Sequence, residues 1–272
     1  MIKKPIRNDL FNFLYTPFVK HPKKPFKNQQ YEEVLKLILR ACEMRGFSLL
    51  TGAPGLGKSC FFHYLIEHLH PNANRLVYIA CSNISERDLL REIALQLGVE
   101  AYYQKGKTIK ALQLFIEENQ PINTILMLDE MQNSSQKNLE MLRLLSNFKY
   151  DSKRYLTIIL AGSEEILQVL KKNINTPLRQ RITLYQRLLP LSAEECALYL
   201  SHHLGQAGAL QEIFEPAALQ LIAEASDGIP RIINHLALSA LAEASEYEKV
   251  AVTLEHVRRA VELTSLPKRA LL

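Results

Sequence analysis

GAPGLGKS, residues 52–59, is the stretch that decides the fold class of this 272-residue chain. It fits the pattern GxxxxGK[ST] in full, follows the apolar run Phe47–Thr51 and precedes a helical pattern that starts at Lys58. The glycines let backbone N–H groups face a row of phosphates with no Cβ in the way, and the helix that follows adds a dipole that favours anions. Lys58 is expected to reach the β- and γ-phosphates, and the Ser59 hydroxyl to bind Mg²⁺. Strand, glycine-rich loop and helix in this order predict a phosphate-binding loop.

Two adjacent carboxylates, Asp129 and Glu130, follow the apolar run Ile125–Leu128. A strand that ends in two acids is often a solvated sheet edge, but beside a phosphate-binding loop the pair indicates a catalytic site. Asp129 is expected to hold Mg²⁺ through water, and Glu130 to orient and polarise the attacking water. The sequence therefore predicts ATP and Mg²⁺ as cofactors and hydrolysis of ATP to ADP and phosphate.

Short apolar runs alternate with helical patterns over the first two thirds of the chain. This alternation predicts a parallel sheet covered by helices on both faces. The expected strands are Phe47–Thr51, Leu76–Ala80, Ile125–Leu128, Leu156–Leu160 and Ile182–Tyr185. Only helical patterns follow Leu191, so the predicted division is an N-terminal arm (residues 1–28), an α/β domain (29–190) and a helical domain (191–272).

Composition narrows the class of protein. No apolar run reaches the roughly 18 residues that a membrane span needs, the N-terminus lacks a signal-peptide pattern, and the four cysteines form no CxxC pair. A cytoplasmic protein with reduced thiols and no membrane partner is expected. The net charge of +5 does not by itself establish nucleic-acid binding. The N-terminal arm is basic, because Asp9 alone opposes its seven cations. Such an arm is either a solvated tail or a segment that contacts phosphates. The cations are Lys3, Lys4, Arg7, Lys20, Lys23, Lys24 and Lys27.

Four further polar residues are candidates for the same site. Ser163 ends the fourth strand, where it either holds the lytic water or is an ordinary turn serine. Arg179 and Arg181 precede the last strand, where they either point out of their own subunit or form surface salt bridges. Arg231 begins a C-terminal helix, a position at which its charge opposes the helix dipole, so an anion such as a nucleotide phosphate is a sensible partner.

These motifs together resemble those of one family. GAPGLGKS, LMLDEMQN, LAGSEEI, LRQRI, LSAEE and SDGIPRIIN are similar to the motifs of ExeA-type AAA+ ATPases, which include the general-secretion ATPase and the transposition ATPases of the TniB, TnsC and IstB kind. The resemblance covers nearly the whole chain. It implies a three-layer α/β/α P-loop AAA+ fold with sheet order 5-1-4-3-2 and a small all-helical lid.

The resemblance also implies roles for single residues. Ser163 matches the first sensor, Arg179 and Arg181 straddle the arginine-finger position, and Arg231 matches the second sensor. Many relatives have glutamine at the position of Ser163, so this chain departs from the pattern there. The expected nucleotide contacts are Gly52, Ala53, Pro54, Gly55, Leu56, Gly57, Lys58, Ser59, Cys60 and Arg231.

Three functions are compatible with these motifs. The first is a regulator or target selector of DNA transposition that forms a ring or helical filament on duplex DNA and recruits or activates a transposase. The second is an ExeA-like ATPase of a secretion or other membrane machine, which is less expected because the chain ends at Leu272 with neither a membrane span nor a wall-binding part. The third is a nucleotide switch with negligible turnover, which Glu130 disfavours.

A basic region between the second and third strands supports the first function. The resemblance implies that this region of the transposition ATPases tracks the DNA backbone. Its cations would neutralise phosphates without contacting bases, so binding would weaken steeply with salt. A solvated basic loop is the alternative. The candidate DNA contacts are Arg87, Lys105, Lys107 and Lys110, beside Tyr102 and Tyr103.

Overall fold

The computed structural model describes residues 6–18, 25–149 and 152–264. The chain forms two compact units, one of Gln29–Pro54 and Lys58–Leu188 and the other of Met1–Asn28, Gly55–Gly57 and Leu189–Leu272. The division into domains at 1–28, 29–190 and 191–272 stays a prediction. The predictions on Lys3, Lys4, Lys20, Lys23 and Lys24 lie outside the described residues.

A five-stranded parallel sheet forms the first unit. Its order is β2-β3-β4-β1-β5, which is the predicted 5-1-4-3-2 and confirms the AAA+ P-loop fold. The strands are β1 (Phe47–Thr51), β2 (Asn74–Ala80), β3 (Asn123–Asp129), β4 (Leu156–Gly162) and β5 (Ile182–Arg187). The helices of this unit are α1 (Gln29–Glu43), α2 (Lys58–His68), α3 (Glu86–Leu97), α4 (Lys105–Glu118), α5 (Gln136–Leu145), α6 (Glu165–Lys171) and α7 (Thr176–Arg179).

Burial explains why the central strands are largely apolar. Every residue of β1, β3 and β4 is buried, as expected for parallel strands that helices flank. The edge strand β5 instead alternates between partly buried and exposed residues. Parallel register aligns the carboxyl ends of β1, β3 and β4, so the residues that follow them meet at one edge of the sheet.

Helix α4 begins earlier than the sequence predicts. The sequence predicts a polar, basic stretch over Tyr102–Lys110 that precedes a helix ending near Glu118, but α4 starts at Lys105. The buried Thr108 hydroxyl donates to Tyr102 O (3.2 Å) and accepts from Tyr102 N (2.9 Å), which holds the first turn against the loop before it. Lys105, Lys107 and Lys110 therefore lie on a helix. The short helix α7 was not predicted.

The second unit packs four helices, α8 (Ala193–Gln206), α9 (Pro216–Ser226), α10 (Pro230–Glu246) and α11 (Leu254–Thr264). Part of the N-terminal segment belongs to this core, because Phe11, Phe13 and Phe18 are buried among the helices. Arg7, one of the arm's cations, pairs with Asp9 (2.8 Å) and Glu248 (3.2 Å). These three aromatic residues of the segment are thus packed against protein.

Candidate nucleotide-binding site

The loop Gly52–Ser59 joins β1 to α2. Gly55 and Gly57 both have φ of +93°, a region that residues with a Cβ rarely adopt, so the loop needs glycine at these positions. The Lys58 ammonium donates to two carbonyls of the same loop, Gly52 O (2.7 Å) and Ala53 O (3.2 Å). The lysine charge is therefore held over the loop, where phosphates are expected to bind.

Asp129 and Ser59 are in direct contact. The Ser59 hydroxyl donates to Asp129 Oδ2 at 2.7 Å, although 70 positions separate the two residues in sequence. The Asp129 side chain is 2% exposed and also accepts from Tyr78 OH (3.3 Å) and from Glu130 N (2.8 Å). The two residues predicted to bind Mg²⁺ are thus brought together at the carboxyl edge of the sheet.

This oxygen pair fits a magnesium ion. Mg²⁺ in nucleotide enzymes is held by one or two protein oxygens plus phosphates and water, not by a full protein cage. Among the described residues, no group of three or more His, Cys, Asp or Glu is placed to hold a metal. A hydroxyl and a carboxylate beside a phosphate-binding loop supply the hard oxygen ligands that this ion prefers.

Tyr78 is a member of the site that the sequence did not reveal. Burial, followed by the nearby charge of Asp129, raises the pKa of Tyr78 to about 12, so its hydroxyl stays a proton donor. Burial likewise raises the pKa of the Cys81 thiol to about 12, with Asp129 again the next cause. Tyr78 lies on β2, two residues before Ala80, and Ala80 pairs with Asp129 on β3. Tyr78 could therefore be identified only once β2 and β3 were known to be neighbours.

Glu130 has an unusual backbone conformation. Its φ of +57° places a non-glycine residue in the left-handed region at the start of the 3-10 helix Met131–Asn133. Such strain is of the order of 1 kcal/mol and is concentrated at functional sites. Glu130 comes directly after the buried Asp129, yet its own side chain is exposed. A group that activates water needs such exposure.

Ser163 is held between two polar side chains. Its hydroxyl donates to Glu165 Oε2 (3.0 Å), and its backbone N donates to Gln132 Oε1 (3.0 Å). A Cβ on Gly162 would lie 2.7 Å from Gln132 Oε1, so a larger residue there would displace the Gln132 side chain from this position. Gln132 was not predicted, although it stands two residues after Glu130 in the same motif.

The arginines predicted to act between subunits contact their own chain. Arg179 donates to Leu170 O and Lys171 O (3.2 Å each), and Arg181 donates to the Ser146 hydroxyl (2.9 Å). In the second unit, Arg231 lies in the first turn of α10, which has no side-chain cap. Its backbone N donates to Gly55 O (3.3 Å), a glycine of the same unit.

The candidate DNA contacts form one surface on α3 and α4. The Arg87 guanidinium lies over the Tyr103 ring (4.6 Å), and Lys107 Nζ lies over the Tyr102 ring (3.9 Å). Lys105 forms an ion pair with Glu86 (2.6 Å), so part of its charge is already balanced. The side chain of Lys110 is exposed. We call this set, with both tyrosines, the α3–α4 basic surface.

Similarity to known proteins agrees with the loop and the sheet. A family model described as an AAA domain matches residues 40–170. General secretion pathway protein A of Aeromonas hydrophila is 37% identical over 205 residues, which is 73% of this chain and 37% of that protein. The chain thus spans well under half the length of this relative.

Solved structures share the fold. The structure of Drosophila ORC bound to DNA has a TM-score of 0.71 at 19% identity, over 92% of this chain and 64% of that one. The Aeropyrum pernix ORC2 protein, solved as ADPNP–ADP complexes, has a TM-score of 0.68 at 17% identity, over 97% of this chain and 74% of that one. The AAA-domain match over residues 40–170 and the sequence relative support an AAA+ ATPase, and the solved structures show the same fold.

Proposed function

We propose that this chain binds ATP with Mg²⁺ and hydrolyses it at the loop Gly52–Ser59. The observation that carries the proposal is the 2.7 Å contact between the Ser59 hydroxyl and the buried carboxylate of Asp129. Bound Mg²⁺ would neutralise charge on the β- and γ-phosphates, with Ser59 as its direct ligand and Asp129 holding it through water. The nucleotide contacts come from Gly52–Cys60, where the backbone N–H groups face the phosphates.

Each remaining polar residue has a proposed part in hydrolysis. Lys58 leaves its loop carbonyls to contact the phosphates, and Glu130 orients the attacking water. Ser163 acts as the first sensor, together with the Gln132 amide that contacts it. Arg179 or Arg181 serves a second copy's nucleotide as arginine finger, and Arg231 contacts a phosphate as the second sensor.

Phosphate release by the purified chain tests this proposal. The wild-type chain is expected to release phosphate from ATP in the presence of Mg²⁺, and Lys58→Ala to lose nucleotide binding because the phosphates lose their fixed cation. Lys36→Ala, which removes an exposed lysine of α1, is the matched control and should behave as wild type. Equal turnover by Lys58→Ala and the control would contradict the assignment.

We further propose that ATP controls assembly of this chain on duplex DNA, in the manner of a transposition regulator that recruits a transposase. The α3–α4 basic surface supports this role, because guanidinium and ammonium groups stacked on tyrosines are positioned to track a phosphate backbone. A cytoplasmic location and a homo-oligomeric ring or filament belong to this proposal.

A role in secretion is the second candidate. The relative of 37% identity, a general secretion pathway protein A, favours it. The chain would then be the ATPase part of a membrane-associated system. Among the described residues, no helix has the length and apolar character of a membrane span.

DNA-stimulated ATP hydrolysis separates the two roles. The first role predicts that duplex DNA raises turnover, that ATP plus DNA gives oligomers in sedimentation, and that both effects fall with salt. Lys107→Ala with Lys110→Ala should weaken DNA binding on every sequence, whereas Lys36→Ala with Lys171→Ala removes the same charge elsewhere and should not. No stimulation and no oligomer on DNA would favour the secretion role.

A further inference from the structure

A basic cavity lies at the edge of the sheet opposite the phosphate-binding loop. It has a volume of about 400 Å³, and Gly46, Phe47 and Leu156 form part of its wall where β1 and β4 begin. Five cationic side chains line it, and no acidic residue does so among the described residues. These cations are Arg45, Arg143, Lys153, Arg154 and Arg181.

The topology makes this a separate place from the nucleotide site. Strands β4, β1 and β5 are neighbours in the sheet, and the cavity lies at their amino ends. The loop Gly52–Ser59 follows the carboxyl end of β1, which is five residues long, so about 16 Å of strand separates the two places. A single small ligand cannot occupy both.

In the part of the chain that the structure describes, three of the five cations have no acidic partner. Arg45 donates to the amide oxygen of Gln120 and to Pro121 O (2.8 Å), both of which are neutral. The side chains of Lys153 and Arg154 are exposed and make no hydrogen bond or ion pair in the described part of the chain. Arg143 pairs with Glu140 (2.6 Å), and Arg181 donates to Ser146 (2.9 Å), so these two are already oriented by their own chain.

The remaining charge favours an anion of particular chemistry. Like charges that share one concave wall repel, and a multiply charged anion removes that repulsion. Guanidinium groups present paired N–H donors that match phosphate oxygens. Besides Arg181, three arginines line the cavity, namely Arg45, Arg143 and Arg154. The volume lies near the lower end of the range of about 300–1,000 Å³ typical of small-molecule sites, which fits a small ligand and not a duplex.

We propose that this cavity is a second anion site that binds a small ligand carrying two or more phosphates. Lys153 and Arg154 supply the unpaired charge, and Arg45 and Arg143 shape the wall. The same phosphate chemistry has two sources, a free polyphosphate compound or the nucleotide of a second copy of the chain. The free compound is the proposed occupant, because Lys153 and Arg154 are distinct from Arg179 and Arg181, the residues proposed to serve a second copy's nucleotide.

Calorimetry with inorganic tripolyphosphate tests the site in a Lys58→Ala background, where the phosphate-binding loop is disabled. We expect one bound anion per chain, with an affinity that falls as salt rises. The double variant Lys153→Ala with Arg154→Ala should weaken binding by about tenfold or more, since two charge-assisted contacts are lost. Lys36→Ala with Lys137→Ala removes two exposed lysines elsewhere and should bind as the background does. Lys153→Arg with Arg154→Lys should retain most of the affinity.

Two results would overturn the proposal. Absence of binding in the Lys58→Ala background would show that no second site exists, and binding unchanged by the double alanine variant would place the anion elsewhere. The origin of the phosphate ligand is tested by measuring ATP turnover in chains that keep Lys58. The double alanine variant could lower ATP turnover only at protein concentrations that allow self-association, while its affinity for tripolyphosphate is unchanged. In that case the cations act on the nucleotide of a neighbouring copy, and the free-ligand proposal fails.

Discussion

At the residue scale, Asp129 illustrates how one buried group organises the site. Its carboxylate accepts from the Ser59 hydroxyl, the Tyr78 hydroxyl and the backbone of Glu130, while 2% of the side chain is exposed. A buried carboxylate without donors would be strongly destabilising, so these three contacts are what allow it to stand beside a phosphate-binding loop. The neighbouring Glu130 has the opposite character, with an exposed side chain and a left-handed backbone.

Replacing Glu130 by glutamine should separate binding from hydrolysis. The amide keeps the size of the side chain but cannot accept a proton from water, so turnover should fall by about a hundredfold or more. ATP binding should persist, since the loop is untouched, and the ATP-bound oligomer should accumulate. Phosphate release and equilibrium binding of a fluorescent ATP analogue measure the two quantities. Turnover at the wild-type rate would remove Glu130 from the proposed mechanism.

Tyr78→Phe should raise the Mg²⁺ concentration that turnover requires. Loss of one hydroxyl donor to Asp129 corresponds to about 1 kcal/mol, or about a fivefold higher Mg²⁺ requirement. Tyr185→Phe is the control, because that hydroxyl contacts Thr51 (3.1 Å) and not Asp129.

The pH dependence provides a second check on Tyr78. Its pKa is raised to about 12, so the neutral donor persists where an ordinary tyrosine, with a pKa of about 10, starts to ionise. The ratio of wild-type to Tyr78→Phe turnover should therefore stay constant from about pH 7 to about pH 10. A ratio that drops across this range would contradict the protonated state of the hydroxyl.

At the element scale, helix α8 shows how a local motif fixes a boundary. Ser192 and Glu195 form a capping box, in which the serine hydroxyl accepts from Glu195 N (3.1 Å) and Glu195 Oε2 accepts from Ser192 N (2.9 Å). The pattern Ser-x-x-Glu predicts this start from sequence alone because both contacts lie within four residues.

Ser192→Ala should lower the free energy of unfolding by about 1 kcal/mol through loss of this cap. Urea denaturation followed by circular dichroism measures the change. Ser201→Ala, on the exposed middle of α8, removes the same hydroxyl where it caps nothing and should leave stability almost unaltered. Equal effects of the two variants would mean that the cap contributes no stability.

At the scale of the whole molecule, Arg181 connects the single chain to its proposed assembly. It stands before β5 at the amino edge of the sheet, whereas the phosphate-binding loop is at the carboxyl edge. The nucleotide on which Arg181 is proposed to act is therefore that of another copy and not that of its own chain.

Arg181→Ala should therefore reduce turnover by about a thousandfold, the usual order for an arginine finger, while ATP affinity of the isolated monomer stays close to wild type. Measuring turnover as a function of protein concentration, with and without added Lys58→Ala chains that still carry Arg181, tests action between copies. Rescue by the added chains is the expected result. If Arg179→Ala shows the loss and Arg181→Ala does not, the role belongs to Arg179.

The sequence by itself determined the phosphate-binding loop, the acidic pair Asp129–Glu130 and the parallel sheet. These features depend on contacts within a few residues and on the period of apolar positions, both of which a sequence displays. The family resemblance added the strand order, which the structure confirmed.

Only the tertiary structure decided which distant side chains meet. It placed Tyr78 against Asp129 and Gln132 against Ser163, it started α4 at Lys105, and it collected cations from five separate positions around one cavity. These contacts depend on strand register and on how loops fold over the sheet edges, which no local pattern encodes. The physical reason is that periodicity reports which face of an element is buried, whereas the partner of that face is chosen by the packing of the whole chain.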